Sequence, residues 1–244
     1  MTISPPPLIA LNDVSFAPDG KQVLGPLSLQ ADARRIGIVG RNGSGKTTMA
    51  RLLSGLIAPD TGKVHIAGVD VAKDRKKALG SVGILFQNPD HQIIFPTVEE
   101  EIAFGLTQMG QGKAQVAAGV QGILVRFGKA HWAKAAIHQL SQGQRQLVCL
   151  MSVLAMAPAV IVLDEPFAGL DIPTTRQLQR ILDGLEVTLV MITHDPAMLR
   201  EYERVIWLEA GAVVQDGAAQ PVLAAFEAQM AQIGDGDDLS HLAG

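Results

Sequence analysis

The chain holds one cysteine, Cys149, among 244 residues. A disulfide framework needs pairs of cysteines and a thiolate metal cluster needs several, so both are excluded. Cys149 lies in an apolar run, where it is expected to serve as a small buried hydrophobe. An excess of positive charge is missing too. Lys and Arg number 20 against 24 Asp and Glu, a formal net charge of -4. That predicts no broad basic surface and argues against nucleic acid as a partner. His65, His91, His131, His138 and His241 show no metal-ligand spacing. No internal repeat or low-complexity tract is visible. A run long enough to cross a bilayer is also lacking. LVCLMSVLAMAPAVIVL, residues 147–163, is uncharged but falls short of the roughly 20 residues a spanning helix needs. Pro158 divides it, so it reads as a buried helix (146–156), a loop and a buried strand (160–163). A soluble chain is expected, with any membrane association through a partner. The opening MTISPPPLIALNDV has no basic residue before an apolar core, so no secretory signal is expected. Pro5, Pro6 and Pro7 read as an extended lead-in.

What is present starts with GRNGSGKT, residues 40–47. The apolar stretch 35–39 before it reads as a buried strand, and residues 48–53 after it read as a helix. That strand–loop–helix context is what a phosphate-binding loop requires. Glycines at 40, 43 and 45 let the backbone approach a ligand closely. The amides then converge on anionic oxygens, and the following helix adds its unpaired N–H groups and positive dipole end. Lys46 is expected to reach the β- and γ-phosphates and the Thr47 hydroxyl to coordinate Mg²⁺.

Alternating and apolar segments at 8–16, 22–30, 64–67, 82–86, 160–163, 188–192 and 204–208 predict strands. Pro18-Asp19-Gly20 predicts a turn between the first two. Helical periodicity predicts helices over 98–109, 113–127, 143–156 and 173–185. The last segment, 220–244, reads as a helix and then a flexible acidic tail, with 226–244 set off as the tail beyond the domain. A helical unit at about 90–155 thus interrupts a strand-rich nucleotide core, and the runs VIVL and LVMI suit parallel strands buried on both faces.

Nucleotide hydrolysis also needs a metal partner and an oriented water. Asp164 and Glu165 end the apolar strand 160–163. Asp164 is the expected Mg²⁺ partner and Glu165 the general base. His194 ends a second strand and is placed to contact the γ-phosphate or orient the water. Gln87 ends a third, where its amide can meet a metal-bound water and phosphate. In Leu140-Ser141-Gln142-Gly143-Gln144, Ser141 lies near the start of the long apolar helix and Gly143 leaves backbone donors uncovered. This is a second anion-ready helix terminus, well away from the first loop.

These five elements, in this order, closely resemble the ATPase subunit of ATP-binding cassette transporters, over about residues 8–225. GRNGSGKT matches that family's Walker A motif, Gln87 the Q-loop and LSQGQ (140–144) the signature. VIVLDE (160–165) matches Walker B, AGLD (168–171) the D-loop and His194 the switch histidine. The resemblance implies an α/β fold: a P-loop core, an antiparallel β subdomain and an inserted helical subdomain. It implies ATP and Mg²⁺ as cofactors. Gly40, Arg41, Asn42, Gly43, Ser44, Gly45, Lys46, Thr47 and Thr48 would bind nucleotide. Ser141, Gly143 and Gln144 of a second subunit would complete the site. Thr47, Gln87 and Asp164 would hold the metal, and Glu165, His194 and Gln87 would act in catalysis. Phe16 stands near the position of the usual adenine-stacking aromatic. It serves there or in the core.

Residues 87–105, QNPDHQIIFPTVEEEIAFG, are similar to the form found in energy-coupling factor transporters, which import vitamins and transition-metal ions. EPFAGLD and LSQGQRQLVCL lean toward the biotin-linked members, with cobalt, nickel and other vitamins as alternatives. A soluble ATPase of the same superfamily is the remaining reading. The implied partners are a second ATPase copy, identical or paired, a transmembrane coupling protein and a membrane substrate-binding protein. The implied location is the cytoplasmic face of the cell membrane, as a peripheral subunit. Leu147 stands where an arginine is usual, and Gln142 replaces the middle glycine of the commonest signature.

Overall fold

The structure is a computed structural model that describes residues 6–236. In chain order it contains β1 (Ile9–Phe16), β2 (Leu24–Ala31), β3 (Arg35–Val39), α1 (Lys46–Leu53), β4 (Thr61–Ile66), β5 (Val69–Asp70), α2 (Arg75–Ser81) and β6 (Val82–Leu85). There follow α3 (Val98–Gln108), α4 (Lys113–Arg126), α5 (Gln142–Ala155), β7 (Val160–Asp164), α6 (Ile172–Asp183), β8 (Thr188–Thr193), β9 (Arg204–Glu209), β10 (Ala212–Gly217) and α7 (Ala219–Gly236).

The strands form two sheets. One is antiparallel, in the order β2-β1-β4-β5; the other runs β10-β9-β3-β8-β7-β6. In the second, β9, β3, β8, β7 and β6 are parallel and β10 closes the edge antiparallel to β9. Strands buried on both faces need apolar residues at every position. β7 and β8 are buried throughout. One core fills the space between the two sheets around Met49, Leu52, Val64, Val162 and Ile192. The other joins the opposite face of the parallel sheet to α3, α4 and α5 through Ile102, Leu106, Leu124, Val148 and Met151.

The helical unit is anchored by α5, in which Gln146–Val153 are all buried. Cys149 sits there with no exposure, and burial pushes its thiol pKa up to about 12. Such a thiol stays protonated and inert. Ser141 caps α5: its hydroxyl accepts from the Gln144 N–H at 3.3 Å, and the Gln144 side chain accepts from the Ser141 N–H at 2.8 Å. In α3, the buried Glu101 carboxylate accepts from the Ile94 and Phe95 N–H groups, each at 2.9 Å. That fixes the segment after Gln87.

Several elements differ from the sequence expectation. β4 starts at Thr61, earlier than expected, and β2 starts later, at Leu24. The turn expected at Pro18–Gly20 is present, as a short 3-10 turn. α2, β5 and β10 were not anticipated: RKKALGS offers no long apolar face, β5 is two residues, and β10 is an edge strand with no fully buried position. The boundary at 225/226 also moves. α7 continues to Gly236, so the flexible tail expected from 226 does not begin there. The cause is packing: Phe226 is buried and its ring meets Trp207 edge-on at 5.5 Å, with Val222 and Leu223 buried beside it. The rest of the expected tail, 237–244, and Met1 to Pro5 lie outside the described residues.

Truncating Phe226 removes that contact and leaves a cavity. Phe226→Ala is expected to lower stability by about 3 kcal/mol, measured by urea denaturation of the full chain.

Candidate functional site

The parallel pairing sets the site. Val39 pairs with Thr193, Ile192 with Asp164, and Leu163 with Leu85. The C-terminal ends of β3, β8, β7 and β6 therefore lie side by side. Each is followed at once by a residue singled out from the sequence: Gly40, His194, Glu165 and, after Phe86, Gln87.

At the end of β3 the loop turns tightly. A Cβ on Gly40 would sit 2.1 Å from the Leu208 carbonyl oxygen. Gly45 has φ of 101°, a conformation that favours glycine. Lys46 is 7% exposed, and its Nζ donates to the carbonyls of Gly40 (2.7 Å) and Arg41 (2.9 Å). Burial draws its pKa down, while the nearby Glu165 and Asp164 carboxylates oppose that shift. Ser44 Oγ is buried without a partner. Arg41, Asn42, Gly43 and Thr47 are exposed, and Thr48 is half-buried. A cavity of about 530 Å³ opens over the loop, lined by Arg41, Asn42 and His194 and by Phe226 and Met230 of α7.

At the end of β7, Asp164 is 5% exposed and its Oδ1 has no hydrogen-bond partner. Burial raises its pKa first and the Glu165 charge adds to the rise; the neighbouring Thr47 hydroxyl works the other way. No group of three or more His, Cys, Asp or Glu side chains able to hold a metal exists among the described residues. A hard divalent cation that takes most of its ligands from phosphate and water needs no such group. An orphaned carboxylate oxygen beside a hydroxyl suits Mg²⁺ completed by a nucleotide.

Glu165 has φ of 50°, left-handed for a non-glycine residue, and its N–H donates to the Ile192 carbonyl at 2.9 Å. Its Oε1 lies 2.9 Å from His194 Nδ1, and its Oε2 accepts from the Thr193 hydroxyl at 3.1 Å. As a carboxylate Glu165 only accepts, so His194 Nδ1 carries the proton. The imidazole is 66% exposed, and Nε2 can then donate to a phosphate only when the ring is an imidazolium. A cavity of about 450 Å³ opens on Glu165, Thr193 and His194.

Gln87 is exposed on the bend after β6. Its neighbourhood is held by a residue the sequence reading missed. Gln146 is 1% exposed, and its Nε2 donates to the carbonyls of Phe86 (3.0 Å) and Pro166 (3.4 Å). Thr193 was missed as well. Gln146 stands just before the apolar run that starts at Leu147 and Thr193 closes the run Leu189–Ile192; a polar residue at such a border is the signal that could have marked it.

Ser141, Gly143 and Gln144 line a separate hollow of about 270 Å³ between α5 and α6, together with Leu147. The Ser141 hydroxyl oxygen accepts the cap bond, so its proton is free to be donated outward. Gly143 is less open than expected: a Cβ there would stand 2.2 Å from Thr174 Cγ2, so close packing with α6 requires the glycine. Gln142 points to the D-loop, its Nε2 donating to the Ala168 carbonyl at 3.3 Å. Phe16 is half-buried against the core between the sheets, and its carbonyl accepts from the Val23 N–H at 3.0 Å. The Val23 carbonyl in turn lies 3.0 Å from where a Gly45 Cβ would be, so Phe16 is one strand turn from the phosphate loop.

A phosphate loop at the end of β3, a buried Asp164 and a half-buried Glu165 at the end of β7 and a histidine at the end of β8 define a P-loop nucleotide hydrolase. Residues 26–168 match the family model described as ABC transporter. The biotin transport ATP-binding protein BioM of Rhodobacter capsulatus is 50% identical over 222 residues, covering 91% of this chain and 95% of that protein. The structure of cbiO1 from Clostridium perfringens, part of the ABC transporter complex cbiONQ, superposes with a TM-score of 0.77 at 27% identity, covering 93% of this chain and 94% of that one. A dimeric post-hydrolysis structure of the ATP-binding cassette MJ0796 bound to ADP and Pi gives a TM-score of 0.74 at 25% identity, covering 87% and 99%. The chain belongs to the ABC transporter ATPases. It binds ATP and couples its hydrolysis to transport.

The electrostatics of Asp164 carry a sign. Its folded-state pKa lies above the unfolded value, so burying the ionised form costs stability. That cost is present above the folded pKa and disappears as pH falls toward the unfolded value. Asp164→Asn is therefore expected to raise the Tm of the nucleotide-free protein in EDTA at pH 7, with the advantage shrinking as the pH is lowered toward about 4. Thermal denaturation at several pH values measures it.

Proposed function

We propose that this chain energises an import system of the energy-coupling factor type, with biotin as the cargo. The observation that carries this reading is the 50% identity to a biotin transport ATP-binding protein across nearly the full length of both chains. The architecture shared with cbiO1 supports the coupling-factor class, and favours cobalt or nickel as the second reading for the cargo. No helix among the described residues is long and apolar enough to cross a membrane. The proposed subunit sits on the cytoplasmic face, bound to a transmembrane coupling protein and a separate membrane substrate-binding protein. Ile94 is 68% exposed, and the ring of Phe104 (37% exposed) packs tilted against that of Phe95, with centroids 5.1 Å apart. This apolar patch, beyond Gln87 and braced by Glu101, is the proposed seat for helices of the coupling protein.

In the proposed mechanism the loop 40–48 cradles the triphosphate, with Lys46 turning from its own carbonyls to the β- and γ-phosphates. Phe16 would stack on the base. Thr47, Asp164 and, through water, Gln87 would hold Mg²⁺, which supplies charge neutralisation on the phosphates. Glu165 takes a proton from the attacking water, whose oxygen bonds to the γ-phosphorus as ADP leaves with the electrons of the broken P–O bond. His194 orients that water and contacts the γ-phosphate. Two ATPase subunits associate head to tail, in a homodimer or with a paired ATPase. Ser141, Gly143 and Gln144 of one then face the phosphates held by the other. The dimeric MJ0796 cassette supports association of this kind.

Two measurements test the reading. Glu165→Gln keeps the donors and removes the base, so ATP turnover is expected to fall about 100-fold or more while ATP still binds. The variant is then expected to elute as a dimer with ATP and Mg²⁺ on size-exclusion chromatography. Normal turnover in this variant would refute the assigned base. For the cargo, the chain is co-expressed with its membrane partners in a host deficient in biotin uptake. Radiolabelled biotin is expected to accumulate, and accumulation to drop at least about tenfold with Glu165→Gln. Accumulation of radiolabelled cobalt or nickel instead of biotin would assign the second reading.

A further inference from the structure

Glu165 is gripped by three consecutive residues of one strand end. Ile192 accepts its backbone N–H, Thr193 meets one carboxylate oxygen and His194 the other. The middle contact has a fixed polarity. The Asp195 N–H donates to Thr193 Oγ1 at 3.1 Å, and a backbone N–H can only donate. Thr193 Oγ1 therefore accepts from Asp195 and spends its own proton on Glu165 Oε2. Thr193 is 4% exposed, so no water competes for that proton. The two oxygens of Glu165 are then unequal. Oε2 is occupied by a buried hydroxyl, whereas Oε1 faces the exposed imidazole and the cavity.

We propose that Thr193 is a positioning residue for hydrolysis: its hydroxyl fixes the rotation of the Glu165 carboxylate so that Oε1 is the oxygen presented to the attacking water. This rests on the reading of Glu165 as the base. A carboxylate on a backbone held at φ of 50° has no rotamer guidance from a regular helix or strand. The hydroxyl supplies it from the neighbouring strand. Val39 pairs with Thr193 in the parallel register, so the hydroxyl is anchored to the same strand that launches the phosphate loop. A shift of Glu165 relative to that loop must break this contact.

The test uses the full chain with Mg-ATP and three variants. Thr193→Val keeps the shape and strand preference and removes the donor; Thr193→Ser keeps the donor. Thr193→Val is expected to lower kcat about tenfold with KM for ATP within about twofold of the parent, and Thr193→Ser to stay within about threefold of the parent kcat. Glu165→Gln run in parallel is expected to lose turnover. Parent-like kcat in Thr193→Val, with Glu165→Gln inactive, would overturn the role of Thr193 and leave the base assignment standing. Equal losses in the Val and Ser variants, or a rise in KM matching the fall in kcat, would also overturn it, because packing rather than the hydroxyl would then matter. Normal turnover in Glu165→Gln would remove the base and this inference together.

Discussion

The structure depends on β8 lying hydrogen-bonded between β3 and β7 in parallel register. That pairing is what makes three distant pieces of chain one site. It sets Val39 against Thr193 and Asp164 against Ile192. Parallel neighbours end on the same side, so the loop after β3, the acids at the end of β7 and the histidine after β8 come together by topology alone. The pairing is strongly specified. β7 and β8 are buried along their whole length, and a slip of one residue would alter every contact with both cores. The same slip would move Thr193 off Glu165. Fold stability and site geometry rest on one set of backbone bonds.

Burial at this junction leaves charges in need of a ligand. Lys46 and Asp164 are both nearly inaccessible, and burial shifts each toward its neutral form. Their mutual attraction offsets only part of that cost. Lys46 meanwhile spends its ammonium protons on two loop carbonyls, Asp164 Oδ1 has no partner, and neither does Ser44 Oγ. An anion alone would satisfy the lysine and the loop amides but would crowd Asp164 and Glu165. A cation alone would satisfy the acids and repel Lys46. A triphosphate carrying a divalent cation answers both demands at once, which is why the proposed ligand is the pair and not either half.

Much of this was legible because the chemistry sits at the ends of local patterns. GRNGSGKT needs only its own strand and helix to be read, and the acids and the histidine each close an apolar run. The missed residues act at a distance. Gln146 reaches Phe86 across 60 positions and Pro166 across 20, and Thr193 reaches Glu165 across 28. No local period reports such pairings. The missed elements failed for a different reason. α2 has only Ala78 and Ser81 buried and β10 none fully, so neither carries the periodic apolar face from which a helix or strand is read. At the C-terminus, composition suggested an early end to order, but Phe226 against Trp207 carries the helix further.

The residues around the signature have a constraint of their own. α5 begins at the signature and is buried from Gln146 to Val153, so it links the helical unit to the parallel sheet as a solid strut. Three contacts tie its first turns to the catalytic side: Gln142 to the Ala168 carbonyl, Gly143 against Thr174, and Gln146 to the carbonyls beside Gln87 and Glu165. Gln146 matters most, because it is 1% exposed and no water can replace what it loses. A movement of the helical unit as a rigid body has two outcomes. It carries Phe86 and Pro166, and with them Gln87 and Glu165, or it leaves a buried carbonyl, a half-buried carbonyl and a buried amide unpaired at a cost of several kcal/mol. The first is far cheaper. In the proposed mechanism, a push delivered at the helical unit reaches Glu165 through one buried amide, and a change at Glu165 returns by the same route.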